Sequence, residues 1–161
     1  MIVPLTYNSF ELLSKKAQYA FQALMYMADT NPYEPNLIAD IARERKIPLK
    51  FLENILLELK KAGILDSKKG KGGGYYFKIP PTEVSLARII RLIDGPISML
   101  SCVSLYFYQQ CENCNEEVCG LQKTMIEVRD ATLAILENKS VADISTAMKG
   151  GSTVYPSSVK P

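Results

Sequence analysis

Four cysteines fall in one short stretch, Cys102-x8-Cys111-x2-Cys114-x4-Cys119, in a 161-residue chain that contains no histidine. Soft thiolates so grouped suit an iron-sulfur cluster, a tetrahedral zinc or a thiol-disulfide switch. The missing imidazole removes the commonest general base, the Ser-His and Cys-His nucleophile pairs and every zinc site built on histidine. Hydrolase readings weaken accordingly, and an oxidoreductase using Cys111 and Cys114 lacks the strand-motif-helix setting of a thioredoxin-like site. The expectation is a protein that is not an enzyme. Clustered thiols, in a chain whose first residues carry no secretion-type leader, also point to a cytoplasmic protein. The adjacent Glu112, Glu116 and Glu117 would raise thiol pKa values, which counts against a reactive thiolate.

A second chemistry resides in lysine. Between Lys60 and Lys78 stand six lysines (Lys60, Lys61, Lys68, Lys69, Lys71, Lys78) and one acid, Asp66. Residues 1–80 hold twelve basic and eight acidic side chains, residues 81–161 seven and nine, so the positive charge sits in the first half of a chain of net charge +2. Such a stripe is the footprint of a surface that meets phosphates. On charge alone a solvated face is the commoner cause, so the elements carrying the lysines must decide.

With 47% hydrophobic and 22% charged residues, the chain can bury one core and is not disordered. Its longest dense apolar run, residues 99–108, is far short of the ~20 residues a membrane span needs. Helical periodicity predicts a first helix over residues 12–29 with Ser14 as a cap, a second over 35–45, and a third over 48–61 with Pro48 at its first position. In the third, Leu52, Ile55, Leu56 and Leu59 share one face while Lys50, Glu53, Asn54 and Leu57 share the other. Two short helices on a tight link, the second with polar outward side chains, fit a helix-turn-helix, although any small bundle shares the periodicity. Residues 64–69 and 75–79 then read as strands around the glycine-rich tip 70–74, a lysine-loaded hairpin placed like the wing of a winged helix. No P-loop is present, because a strand of aromatics and not a helix follows the glycines.

Ser85 is expected to cap a fourth helix, residues 98–120 form a loop, and Leu121, Met125, Val128, Thr132 and Ile135 trace two heptads of a seam. That seam fits a partner chain and its own domain about equally well. Ser140 and Asp143 resemble a capping box for one more helix. The fold class is therefore mainly α with a small β-hairpin wing. The expected organisation is an extension (1–11), a winged helix-turn-helix (12–81), a cysteine loop with a dimerisation helix (82–148) and a flexible tail (149–161).

Several stretches carry a family resemblance: Leu13-Ser14-Lys15-Lys16-Ala17-Gln18-Tyr19-Ala20, Ile38-Ala39-Asp40-Ile41-Ala42, Phe51-Leu52-Glu53, Leu59-Lys60-Lys61-Ala62-Gly63 and Lys69-Gly70-Lys71-Gly72-Gly73-Gly74-Tyr75. With Ile93-Asp94-Gly95-Pro96, the cysteine loop and Val141-Ala142-Asp143-Ile144, they resemble the Rrf2 family of bacterial transcription regulators from about residue 12 to 144. The resemblance implies a homodimeric winged-helix repressor or activator that binds double-stranded DNA and no membrane, with the long C-terminal helix forming the dimer. Carried over by position, Glu53 and Lys69 match places where family members read DNA. Lys50 and Asn54 share the face of Glu53, and Lys68 and Lys71 flank Lys69 on the wing. Pro48 stands where the family often has serine, and Lys71 replaces the usual proline of the wing.

The resemblance also implies an iron-sulfur cluster, 2Fe-2S or 4Fe-4S, with Cys102 and Cys119 at the first and last ligand positions and Cys111 or Cys114 as the third. Fourth ligands in the family are a histidine just after the last cysteine or an acid on the first helix; Gln122 and Gln18 stand at those places here, and neither is a good iron ligand. A cluster would then use all four cysteines or recruit Glu112, Glu116 or Glu117. A redox switch, an empty loop and zinc remain as alternatives.

Overall fold

The computed structural model describes residues 13–112 and 114–149, with side chains through Ser145. The expected N-terminal extension and residues 150–161 of the expected tail lie outside the described residues.

Helix α1 (Lys15–Thr30) starts where the Ser14 hydroxyl accepts the Ala17 N–H at 3.0 Å, a cap that contributes about 1 kcal/mol. Its buried stripe is Ala17, Ala20, Ala23, Leu24 and Met27. Helix α2 (Ile38–Arg45) and helix α3 (Leu49–Lys61) follow, joined by Lys46-Ile47-Pro48. The link is tight because Lys46 turns left-handed (φ 52°) and gives its N–H to the Ala42 and Arg43 carbonyls. Pro48 is the cap of α3 and not its first helical residue: its ψ of 125° is extended, while its carbonyl accepts the Phe51 and Leu52 N–H groups, each at 3.0 Å. A proline has the φ of a helix either side of that boundary, so the helix start is decided by ψ.

Strands β1 (Leu65–Lys68) and β2 (Gly74–Phe77) pair antiparallel, from Leu65 opposite Phe77 to Lys68 opposite Gly74. The sequence did not disclose what the outer edge of β2 meets. Asn36, just before α2, bridges Tyr75 and anchors its own loop by donating its side-chain amide to the Asn31 and Glu34 carbonyls. Gly74 permits that approach, because a Cβ there would lie 2.2 Å from the Asn36 carbonyl oxygen.

Helix α4 (Leu86–Ile93) is capped by Ser85, whose hydroxyl accepts the Arg88 N–H at 3.2 Å. Short 3-10 turns at Ser101–Val103 and Glu116–Val118 interrupt the loop before helix α5 (Gly120–Glu137), and helix α6 (Val141–Lys149) closes the described chain. The expected capping box is present: Ser140 accepts the Asp143 N–H at 3.2 Å and donates its own N–H to the Asp143 carboxylate at 2.7 Å.

One apolar core contains Leu24, Met27, Ile41, Leu52, Ile55, Leu56, Leu59, Ile64 and Phe77, and continues past residue 81 into Val84, Ile89 and Val141. Burying each large member contributes roughly 1.5–3 kcal/mol relative to leaving it exposed. Helix α6 packs on α1, where the Ser145 hydroxyl bonds the Asp29 carboxylate. Helix α5 stands apart, touching α4 and the Ser101–Val103 turn, with Leu133 as its one buried residue.

Candidate DNA-binding face and cysteine loop

The three inward leucines and one isoleucine of α3 (Leu52, Leu56, Leu59 and Ile55) have no exposed surface, and this fixes the rotation of the helix. Lys50, Glu53, Asn54 and Leu57 are exposed on the other side as a result. Helix α3 is braced against α1 by the Lys16–Glu58 ion pair at 2.5 Å. On the hairpin, Lys68, Lys69 and Lys71 are all exposed, as are Lys61 and Lys78 at its base. The sixth lysine of the stripe behaves differently. The Lys60 ammonium bonds the Ser67 hydroxyl at 2.7 Å and pairs with Asp66 at 3.1 Å. The Ser67 N–H and then Lys60 hold the Asp66 carboxyl below its ordinary value. Lys60 therefore ties α3 to the wing, while the other five present their charge to solvent.

The cysteine loop is drawn together by side chains that spacing alone did not single out. Cys102 lies in the Ser101–Val103 turn, Cys111 and Cys114 in the exposed middle of the loop, and Cys119 at the N-cap of α5, where its sulfur accepts the Gln122 N–H at 3.4 Å. None of the four forms a disulfide. Cys114 is within hydrogen-bonding reach of both Cys111 and Cys119, and these thiols together with desolvation push its pKa up to about 12. Cys102 is held from across the loop by the Gln122 side-chain amide, which donates to the Cys102 carbonyl at 3.4 Å. One heptad further along α5, Arg129 donates to the neighbouring Val103 carbonyl at 2.6 Å.

Glu116 closes the loop from the other side. One carboxylate oxygen accepts the Tyr108 hydroxyl at 2.7 Å and the other the Cys111 N–H at 3.1 Å. Those two bonds, with a further one from Gln122, hold its carboxyl below the ordinary value, and Glu116 in turn raises the Tyr108 phenol. Gln18, the other position compared with family ligands, donates its side-chain amide to the Leu13 carbonyl at 3.0 Å.

Thiols gathered in one loop are a soft donor set of the kind that iron-sulfur clusters and zinc take. The donors therefore fit such a group in kind. Among the described residues no three Cys, Asp or Glu side chains have yet closed to metal-ligating geometry, so binding would require the loop to draw in further.

Two helices on a three-residue link, a polar outward face on the second and a lysine-tipped hairpin directly after it define a winged-helix DNA-binding transcription regulator. The chain belongs to the Rrf2 family, whose model, described as an iron-dependent transcriptional regulator, matches residues 13–147. An HTH-type transcriptional regulator of Rhodobacter capsulatus, named rrf2-like, is 36% identical over 140 residues, which cover 84% of this chain and 93% of the relative. The structure of CymR, the global cysteine regulator of B. subtilis, has the same fold with a TM-score of 0.70 at 24% identity, over 84% of this chain and 96% of its own. T. potens IscR gives a TM-score of 0.68 at 19% identity, over 91% and 94%. Among the described residues no helix is long and apolar enough to cross a membrane.

Proposed function

We propose that this regulator works as a cytoplasmic homodimer, with no enzymatic activity of its own, and that its cysteine loop is the sensing element that adjusts DNA binding. The observation that carries this reading is the position of the thiols. Cys114 interacts with Cys119, which caps the first turn of α5, and the same helix leaves Leu121, Val128 and Ile135 exposed at heptad spacing. A change at the sulfurs therefore acts at the end of the helix that a second copy would cover. An apolar groove of about 420 Å³ beside that seam, lined by Ile90, Ile97, Met99, Val128 and Leu136, extends the surface available to the partner.

On DNA, Lys50, Glu53 and Asn54 of α3 are assigned to the major groove, where glutamate accepts from cytosine N4 and asparagine pairs with adenine. Lys68, Lys69 and Lys71 are assigned to the phosphates or minor groove at the wing. Cys102, Cys111, Cys114 and Cys119 would hold an iron-sulfur cluster, which supplies redox and nitric-oxide chemistry when bound. The family model's description as iron-dependent supports this choice over zinc. The Cys111-x2-Cys114 spacing allows a disulfide as a second reading. A thiol whose pKa is about 12 is a poor nucleophile at neutral pH, which places that reading behind the first.

The test is to purify the full chain anaerobically, measure iron, acid-labile sulfide and zinc per chain, and titrate a duplex from its own promoter at several salt concentrations. Iron and sulfide in equal amounts, with different operator affinities for loaded and stripped protein, are expected. Equal affinity in both states, and equal affinity for reduced and oxidised thiols, overturns the sensing role and leaves DNA binding standing.

A further inference from the structure

Glu116 stands among the cysteines and, judged by residue type, is a candidate ligand. Its geometry says otherwise. Both carboxylate oxygens are already engaged, Oε2 by the Tyr108 hydroxyl and Oε1 by the Cys111 N–H, and Gln122 also bonds to it. Gln122 is in turn joined to both outer cysteines, through its backbone N–H to the Cys119 sulfur and its side-chain amide to the Cys102 carbonyl. The pair therefore reaches three of the four cysteine positions and also Tyr108, on the limb of the loop that leads to Cys111.

We infer that Glu116 and Gln122 form a positioning pair whose side chains set the places of Cys111 and Cys102, and that Glu116 organises the site without being a ligand. The inference rests on the cysteine loop being the sensing site. Its chemistry is that of outer-shell partners, which hold ligand-bearing backbone in place before a metal arrives and so reduce the ordering that binding requires. Charge supports the division of labour. A carboxylate bonded to the Cys111 N–H adds negative potential beside that thiol, so it favours a cation at the sulfur over a free thiolate. Nothing is asked of the two side chains beyond the hydrogen bonds already made.

The experiment uses the full-length chain and the variants Glu116→Gln, Glu116→Ala and Gln122→Ala, with two readouts. The first is iron and acid-labile sulfide per chain after anaerobic purification, with the visible absorbance per iron. The second is the alkylation rate of each cysteine by iodoacetamide in the metal-free protein, resolved by mass spectrometry. A positioning role predicts that Glu116→Ala and Gln122→Ala weaken metal retention by about tenfold or more, as loss of an outer-shell partner does. Glu116→Gln keeps one acceptor oxygen and falls between, and absorbance per iron is unchanged in every variant. In metal-free protein Glu116→Ala should release the Cys111 thiol and Gln122→Ala the Cys102 thiol to faster alkylation, while the melting temperature, set by a core that excludes this loop, moves little. A Glu116→Gln protein as defective as Glu116→Ala, with altered absorbance per iron, would make Glu116 a ligand and overturn the inference. Alkylation rates identical to wild type in both alanine variants would overturn it as well. If the wild-type protein holds no metal, the cluster reading fails by itself and the alkylation pattern still decides whether the pair positions the thiols.

Discussion

Asn36 and Tyr75 exchange two backbone hydrogen bonds, at 2.8 and 3.0 Å, and so fasten the wing to the segment that leads into α2. The wing is thereby fixed relative to the helix-turn-helix, and its lysines are held at a set distance from α3. Gly74→Ala should undo this, because the new Cβ would meet the Asn36 carbonyl at 2.2 Å. The expected result is a stability loss of about 1–3 kcal/mol, typical of a forced steric insertion, with weaker DNA binding. Chemical denaturation and a binding titration check it; unchanged affinity would mean the wing needs no such anchor.

Lys69 and Lys71 are exposed at the hairpin tip and enter no ion pair among the described residues. Replacing either with alanine should weaken DNA binding on every sequence and reduce the slope of log K against log salt by about one, one phosphate contact each. Lys60→Ala should differ: its ammonium already serves Ser67 and Asp66, so it should lower stability with little change in slope. Salt titrations of the three variants separate the roles.

Ile135 is 63% exposed on α5, in line with Val128 and Leu121. Ile135→Glu should weaken a dimer on the order of a hundredfold, since two isoleucines at roughly 1.5 kcal/mol each would be lost from the seam. Sedimentation equilibrium reads the change directly. A variant that remains as dimeric as wild type would place the interface elsewhere.

Asp143 has its carboxyl held below the ordinary value of 3.8, first by the Ser140 N–H and then by the Ser140 hydroxyl. A depressed folded pKa means that the stabilisation is complete above the unfolded value and is lost as pH falls through the folded one. Thermal melts of Asp143→Asn should therefore lie below wild type at neutral pH and converge with it as the pH falls below about 4. A constant gap across that range would show that the cap does not act through its charge.

Much of the architecture was legible in the chain itself. Leu52, Ile55, Leu56 and Leu59 specify the inward face of α3 because a helix repeats every 3.6 residues, so sequence spacing alone sets their common direction. Ser14, Ser85 and the Ser140-Asp143 pair announced helix starts because capping acts over three residues. Lys60 was misleading for the opposite reason: its type suggested phosphate contact, but Asp66, six residues away in the next element, had already taken its charge. The seam of α5 was equally ambiguous from spacing; the fold buries Leu133 and leaves Leu121, Val128 and Ile135 exposed.

What the sequence by itself determined is everything carried by local periodicity and residue chemistry: the helix pair, the lysine hairpin, the soft-donor character of the loop and the absence of imidazole. Only the tertiary structure decided which remote groups meet. Asn36 finds Tyr75 across 39 positions, Ser145 finds Asp29 across 116, and Gln122 reaches back 20 residues to Cys102. Such pairings leave no period in the chain, because they are selected by how the buried faces of separate elements settle against one another.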